Sequence, residues 1–207
     1  DELTLTLGGT DADSFNLSDE NVLTFKEAPD YETKTSYSIT LTLTDGTETV
    51  TKEVTIAITN VNDVAPEFTS DATFSAAENQ TAIGTVTATD AEGDEVTFTI
   101  SGDELAITSA GVLTFVSAPD YETKDAYTAT VTASDGINST TQSITVNVTD
   151  VNEAPAFTSP VTFSAAENQT AIGTVAASDV DGDTITYSIS GSDITINSSS
   201  GVITLSL

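Results

Sequence analysis

The chain repeats itself with a period of 89 to 90 residues, and this repeat most restricts the folds open to it. Residues 59–68 (TNVNDVAPEF) return as residues 149–157 (TDVNEAPAF), and residues 28–34 (APDYETK) return as residues 118–124. Solenoid repeats, which need their neighbours to bury a core, are much shorter. Each unit is therefore predicted to be a small domain of its own.

The repeat divides the chain into three predicted units, residues 1–63, 64–152 and 153–207. Only the middle unit aligns with a complete repeat. The first unit lacks the opening strands, and the third lacks the closing strands. We expect the chain to be cut from a longer array. The alternative is that the tail of one chain completes the head of the next, which would give a filament by strand complementation.

The charge of the chain excludes two classes of partner. Thirty-three Asp and Glu residues face four Lys and Arg residues, so the formal net charge is −29. A surface this negative repels nucleic acid and anionic lipid. No apolar run approaches the roughly 20 residues that span a bilayer, so we expect a soluble piece without membrane insertion. Because 38% of the residues are hydrophobic, the acidity is interpreted as a folded surface rather than as disorder.

The residue types that are absent narrow the available chemistry. The chain has no Cys and no His, which excludes disulfides, thiolate or imidazole metal sites, and Ser-His or Cys-His catalysis. Oxygen ligands remain, and these favour a hard cation, calcium first. Paired carboxylates could also serve a glycosidase. The chain has no Trp, few aromatic residues and no insertion to build a cleft, so we predict no enzymatic activity.

The secondary structure is predicted to be almost entirely β-strand. Apolar side chains alternate with Thr or Ser at the period of a half-buried strand, and pairs such as Asp45-Gly46 and Asp135-Gly136 mark turns. About seven short strands per unit predict a two-sheet sandwich. The Thr-rich outer faces are attributed to β-propensity rather than to binding. The clearest predicted strands are residues 37–44, 54–58, 96–100, 127–134, 144–148 and 185–189.

Five short motifs, in order, resemble extracellular cadherin repeats of the form found in large bacterial surface adhesins. They are Glu78-Asn79, Asp90-Ala91-Glu92-Gly93, Gly111-Val112-Leu113 followed by Asp120-Tyr121-Glu122, Ser134-Asp135-Gly136, and Asp150-Val151-Asn152-Glu153-Ala154-Pro155-Ala156-Phe157. The resemblance covers essentially the whole chain. It implies an all-β fold of tandem seven-stranded Greek-key β-sandwiches of the cadherin or immunoglobulin type, with the first and last units partial.

Acidic groups from one unit, from the connector between units (residues 60–63 at the first joint and 150–153 at the second) and from the next unit are expected to converge at each joint. Like charges this close repel, so a joint without a counter-ion would splay. A cation that takes six to eight oxygens could satisfy several carboxylates and lock two units on one axis. We therefore expect rigidity that depends on Ca2+.

The family resemblance implies a ligand set for each joint. At the second joint, between the middle and third units, it implies Glu78, Asp120, Glu122, Asp150, Asn152, Glu153, Asp179 and Asp181. At the first joint, between the first and middle units, it implies Asp30, Glu32, Asn60, Asn62, Asp63, Asp90 and Asp135.

The first joint departs further from the family pattern than the second. Asn60 and Glu92 each stand where the family has Asp, and the first unit lacks the Glu of the Glu-Asn motif. At the second joint Glu153 replaces Asp, and the third unit ends before a last Asp-Gly ligand. The resemblance implies two or three ions per joint, with fewer at the first. Asp94 and Asp183 are further candidates, each for a backbone oxygen.

The plain alternative is that the acids form only a solvated, salt-adapted surface. Recurrence of the motifs together and in order favours calcium at both joints. Outside the joints we favour interpretations without a binding role. Tyr31 and Tyr121 are expected to pack rather than to bind sugar. The acids expected to be solvated loop charge are Asp11, Asp13, Asp19 and Glu20.

The sequence therefore predicts a calcium-stiffened extender segment of a repetitive extracellular adhesin or fibre protein, located outside the cell or at its surface and supporting adhesion or matrix formation. The alternatives are direct binding of polysaccharide, or self-association with other copies of the chain. The near-identical units, with no aromatic patch in any of them, favour the extender.

Overall fold

The computed structural model describes residues 3–206, so Asp1, Glu2 and Leu207 of the predicted first and third units lie outside the described residues. Strands are the main regular secondary structure, joined by turns and irregular segments, and one 3-10 turn spans Ala12–Ser14. No helix in residues 3–206 is both long and apolar enough to cross a membrane. The first unit contains β1 (Thr4–Gly8), β2 (Phe15–Leu17), β3 (Leu23–Phe25), β4 (Ser36–Thr44) and β5 (Thr49–Ala57).

The middle unit contains the fullest set of strands. They are β6 (Glu67–Phe68), β7 (Thr73–Ala77), β8 (Ala82–Thr85), β9 (Ala88–Thr89), β10 (Thr97–Ile100), β11 (Leu105–Ile107), β12 (Val112–Phe115), β13 (Ala126–Ser134) and β14 (Ser139–Thr149). One sheet has the order β10-β13-β14-β7, with β7 parallel to β14. The facing strands are ordered β11-β12-β8, and β6 pairs with β9.

Nine strand segments make a seven-stranded Greek-key sandwich because two of its strands are interrupted. The first strand is divided into β6 and β7, which pair in different sheets. The second strand is divided into β8 and β9, separated by the buried Val86. The predicted all-β sandwich fold is confirmed.

The core of the middle unit lies between its two sheets. The sheet that contains β13 and β14 contributes Phe98, Val131, Ala133, Ile144 and Val146, among others. The facing strands contribute Leu105, Leu113 and Phe115. Because alternate residues of each strand point inward, the apolar half of each Thr-alternating strand is buried and the hydroxyl half faces outward.

The third unit contains β15 (Ala156–Phe157), β16 (Ala171–Thr174), β17 (Ala177–Ser178), β18 (Ile194–Ile196) and β19 (Val202–Leu205). These form a β15-β17 pair and a β16-β19-β18 sheet, the equivalents of β6-β9 and β8-β12-β11. The first unit forms a β1-β4-β5 sheet and a β2-β3 pair. Each strand pairing found among the described residues lies within one predicted unit.

Five of the six clearest predicted strands are present, but the strand predicted at residues 185–189 is not formed. Its equivalent in the middle unit is β10, an edge strand whose neighbour is β13. The third unit contains no counterpart of β13 in residues 153–206, so residues 185–189 have no neighbouring strand with which to pair. The alternating pattern was recognised correctly, but strand formation also requires a partner.

Gly111 and Gly201 show why the turn before β12 and the equivalent turn before β19 need glycine. Their φ angles are +85° and +69°, a region that L side chains rarely adopt. A Cβ at Gly111 would lie 2.2 Å from the Val86 carbonyl oxygen, and one at Gly201 would lie 2.2 Å from the Val175 oxygen. The close approach lets Val86 donate its N–H to the Gly111 carbonyl at 2.9 Å.

Candidate metal centres at the two joints

The strands of the middle unit deliver acids to the second joint at their carboxyl ends. Glu78 follows β7 directly, and Asp150 follows β14 directly. Because β7 and β14 are parallel neighbours, their ends lie at the same edge of the sheet. The loop from β12 to β13 adds Asp120 and Glu122 at this end. The strand topology therefore brings these residues to the same end of the middle unit.

The acids of the second joint form two clusters that share Glu122. One ligand atom from each of Glu78, Glu122 and Asp150 lies within 4.8 Å of the others. The same is true of Glu122, Glu153 and Asp181. Glu153 lies in the connector and Asp181 in the third unit, so the shared Glu122 links carboxylates of both units and the connector.

Glu78 is buried, with 4% of its surface exposed, and backbone N–H groups satisfy its carboxylate. Val151 donates to Oε1 at 2.8 Å and Tyr121 donates to Oε2 at 2.9 Å. These two contacts hold the start of the connector and the Asp120–Glu122 loop on one side chain. Asn79, the next residue, donates its amide to Glu153, and the Glu153 N–H donates to Asp181 at 2.7 Å.

Desolvation, with crowding of like charges, raises several pKa values at the second joint. Desolvation, followed by repulsion from Asp181, raises the pKa of Asp150. Desolvation also raises the pKa of Glu153 despite the hydrogen bond from Asn79. For Glu122 a backbone hydrogen bond lowers the pKa, but desolvation and repulsion from Glu78 outweigh it, and the pKa is raised. The protein therefore holds carboxylates together against their repulsion.

The other three residues predicted at the second joint lie outside these two acidic clusters. Asp120 accepts the Thr123 N–H at 3.1 Å. Asp179 accepts the Asp183 N–H at 3.2 Å. Asn152 donates its amide to the Glu153 carbonyl at 2.8 Å. These contacts shape the loops that carry the clustered acids.

The first joint also contains two acidic clusters, and they share Glu92. One joins Glu32 of the first unit, Asp63 of the connector and Glu92 of the middle unit. The other joins Asp90, Glu92 and Asp94, all in the middle unit. Desolvation raises the pKa of Glu32, with repulsion from Glu92, Asp30 and Asp63 adding to it.

An amide network ties the connector of the first joint to the middle unit. Asn62 donates to Asp94 at 2.9 Å, and Asn138 donates to the side-chain oxygen of Asn62 at 2.6 Å. Glu92 accepts the N–H groups of Asp63 at 3.2 Å and of Val64 at 3.0 Å. The connector is thus fixed to the middle unit by hydrogen bonds.

Four residues predicted at the first joint lie outside its acidic clusters: Asn62, whose contacts are given above, and Asp30, Asn60 and Asp135. Asp30 closes its own loop by accepting the Glu32 N–H at 2.9 Å. Asn60 is exposed in the connector. Asp135 accepts the N–H of Ile137 at 2.7 Å and of Asn138 at 2.6 Å, and these bonds lower its pKa although burial alone would raise it.

The ligand set inferred for the first joint omitted Glu92, Asp94 and Asn138. Glu92 occupies the second acidic position of the Asp-x-Asp motif, and its acidic character was the available signal. Asp94 was considered only for a backbone oxygen, whereas its side chain joins the cluster. Asn138 follows the Asp135-Gly136 turn, and the sequence gives no sign that it contacts Asn62, which is 76 residues away.

Several side-chain oxygens at the joints are buried without a hydrogen-bond donor among the described residues. They are Asp90 Oδ2, Glu92 Oε2, Asp135 Oδ2, Glu153 Oε2 and Asp181 Oδ1. A buried acceptor without a partner is costly, and a charged one more so. Carboxylate and amide oxygens in flexible loops are the donors that calcium takes. The residues present therefore fit a calcium ion at both joints.

Proteins with similar sequences support a family assignment. No family model matches the chain. Protocadherin Fat 4 of Homo sapiens is 32% identical over 163 residues, which cover 72% of this chain and 3% of that protein. The Protocadherin-like wing polarity protein stan of Drosophila melanogaster is 32% identical over 206 residues, 86% of this chain and 6% of the relative. The chain thus spans only a small part of these relatives.

Solved structures share the fold along nearly the whole chain. Human CDH23 EC21-23 superposes with a TM-score of 0.74 at 22% identity, covering 98% of this chain and 78% of that one. Mouse Cadherin-23 EC22-24 superposes with a TM-score of 0.65 at 24% identity, covering 98% and 75%. The match extends across all three predicted units, the partial ones included.

Proposed function

Because this chain is built of cadherin-like repeats, we propose that it is a calcium-stiffened extender segment of a repetitive extracellular adhesin. Its role is mechanical: it holds a distal adhesive end away from the surface to which the protein is anchored. The names of the relatives support an adhesion-related extracellular setting. These relatives are animal proteins, so the bacterial source stays a prediction.

The observation that carries this proposal is the position of Glu122. It contributes to both acidic clusters of the second joint, and together they join the middle unit, the connector and the third unit. Buried Glu153 and Asp181 oxygens without donors lie in the same place. A cation at this point would replace repulsion between the units by shared coordination.

The test compares Glu122→Ala with Asp19→Ala by calorimetric titration with calcium. Both residues are exposed acids, so each variant loses one negative charge without disturbing a core. We expect Glu122→Ala to lose calcium binding at one or two sites, or to bind calcium there at least about tenfold more weakly. The reason is that one of the several ligands of the ion is removed. Asp19→Ala should bind like the parent chain. Equal titrations for the two variants would refute the ligand assignment.

A second candidate is self-assembly by strand complementation, and one observation favours it. Residues 73–86 recur without change as residues 162–175. In the middle unit the first part of this segment forms β7 and pairs in parallel with β14. In the third unit the matching residues 162–166 form no strand, and β5, the counterpart of β14, pairs only with β4 among the described strands.

Sedimentation velocity at rising protein concentration tests this second candidate. Complementation predicts a series of oligomers of increasing size. Ser164→Pro should abolish them, because proline removes a backbone N–H donor from the added strand. A chain that stays monomeric at all concentrations excludes complementation. Polysaccharide binding, the other alternative from the sequence, gains no support from the geometry of the joints.

A further inference from the structure

Two of the four cationic side chains of this acidic protein occupy the same position in successive units. Lys34 ends the segment Ala28-Pro29-Asp30-Tyr31-Glu32-Thr33-Lys34, and Lys124 ends its copy 90 residues later. Each lysine comes two residues after a glutamate that belongs to an acidic cluster of a joint. The other two lysines, Lys26 and Lys52, do not share this position.

Lys124 is attached to the body of the middle unit by two contacts. Its Nζ donates to both oxygens of Glu104, at 2.5 and 2.7 Å. The same Nζ lies 4.2 Å from the centroid of the Tyr127 ring, at the start of β13. A cation above an aromatic face is attracted to the ring.

Lys34 repeats this arrangement in the first unit with a different acid. Its Nζ pairs with Asp11 and lies 4.6 Å from the centroid of the Tyr37 ring. Asp11, expected from the sequence to be solvated, has a side chain that is only 13% exposed, and it also accepts the Ser38 N–H at 2.7 Å. Its pKa is lowered, chiefly by the hydrogen bond from Lys34.

The backbone of each lysine closes the turn that carries the acids. Lys124 donates its N–H to the Asp120 carbonyl at 2.9 Å, and Lys34 donates to the Asp30 carbonyl at 2.9 Å. Hydrogen bonds thus fix the first residue of the turn, and the acid and ring contacts of the lysine side chain fix its last residue. Glu122 or Glu32 lies between these two points.

We propose that Lys34 and Lys124 are positioning residues that hold the acidic turn of each unit in its cation-binding arrangement. This inference rests on the proposed calcium function. The two lysines pair with Asp11 and Glu104, which lie outside the acidic clusters, so the proposal gives neither lysine a role as a ligand. Each resists the outward movement that repulsion among the clustered carboxylates would otherwise cause in the turn.

The direction of the change in calcium affinity distinguishes a positioning role from a simple electrostatic effect. A lysine near a cation site repels the cation, so loss of the charge alone should tighten calcium binding. Loss of a positioning contact should weaken binding instead. Replacement of lysine by methionine removes the charge and keeps most of the aliphatic stem, so the direction of the change in affinity identifies the dominant effect.

The experiment measures calcium affinity of the full chain by calorimetric titration for Lys124→Met, Lys34→Met and Lys52→Met. We expect Lys124→Met to weaken a subset of sites roughly threefold, and Lys34→Met to weaken sites by up to about tenfold, because Asp11 is less exposed than Glu104. Lys52→Met, which removes the same charge from exposed β5, should leave affinity unchanged or slightly tighter. Lys124→Arg should restore parental binding, since arginine retains both contacts.

A second readout separates positioning from general loss of stability. Melting temperatures are measured with and without calcium for each variant. Positioning predicts a smaller calcium-induced rise in Lys124→Met than in the parent, whereas a purely structural role lowers both temperatures equally. Equal or tighter calcium binding by both Lys34→Met and Lys124→Met, in a parent chain that binds calcium, would overturn the inference. A parent chain that binds no calcium would instead refute the proposed function.

Discussion

At the scale of single residues, the joints combine carboxylates that are satisfied with carboxylates that are not. Glu78 is buried and receives two backbone donors, so it fixes the connector and a neighbouring loop whether or not a cation is bound. Glu153 and Asp181 each also leave a buried oxygen without a donor. The first kind supports the loops of the joint, and the second kind leaves oxygens that a cation could bind.

The raised pKa values predict opposite pH responses with and without calcium. The pKa values of Asp150, Glu153 and Glu122 lie above their ordinary values of 3.8 for Asp and 4.5 for Glu. Between the ordinary and raised values, the calcium-free folded chain binds more protons than the unfolded chain. Its stability therefore rises as the pH falls through that window. Calcium needs the deprotonated groups, so the calcium-induced gain shrinks through the same window.

Melting temperatures recorded from about pH 7 to about pH 2, on calcium-free and calcium-loaded protein, check this prediction. At lower pH the trend of the calcium-free chain should reverse. Asp11, Asp30 and Asp45 have lowered pKa values, so the stability they contribute is lost as the pH falls below 3.8 through those lowered values. A calcium-free melting temperature that falls steadily from neutral pH would contradict the assignment of repulsion to the joints.

At the scale of elements, the close approach between β12 and the β8-β9 strand is a specific weak point. Gly111→Ala should destabilise the chain by more than about 3 kcal/mol, because it combines an unfavourable φ with a Cβ that clashes with the backbone. Gly102→Ala is the matched control: its φ is also +85°, but nothing lies within 4 Å of its Cβ, so about 1 kcal/mol is expected. Urea unfolding of both variants measures the difference, and equal costs would show that the contact with Val86 is unimportant.

The sequence predicted the elements well where pattern and partner were both present. Alternation of apolar residues with Thr identified β4, β10 and β13, and part of both β5 and β14. The same alternation at residues 185–189 predicted a strand that does not form, because strand pairing is not encoded in the strand alone. The repeat alignment shows that the third unit lacks the closing strands, but the prediction for residues 185–189 rested on alternation alone.

The candidate metal sites, like the strands, were predicted from the sequence only in part. The motifs identified Glu78, Glu122, Asp150, Glu153 and Asp181, which the fold brings together. They did not identify Asn138, whose contact with Asn62 depends on how the β13–β14 turn meets the connector. Contacts of this kind follow from the packing of loops, which the residue types alone do not determine.

At the scale of the whole molecule, the formal charge of −29 makes any alignment of units electrostatically costly. Salt screens exposed charges over about 10 Å at 0.1 M, but it screens partly buried clusters at the joints much less. The buried oxygens without donors add to this cost locally. A divalent cation at each joint would offset both effects, and under the proposed function the stiffness of the chain would then depend on calcium.

Small-angle X-ray scattering of the full chain, with millimolar calcium and then with chelator, tests this central claim most directly. With calcium, we predict a rigid, elongated particle. With chelator, the same chain should become flexible, with a broader distribution of maximum dimensions, because the joints lose the ion that offsets their repulsion. Scattering curves that coincide in the two conditions would contradict the account, since the joints would then be equally rigid, or equally flexible, without metal.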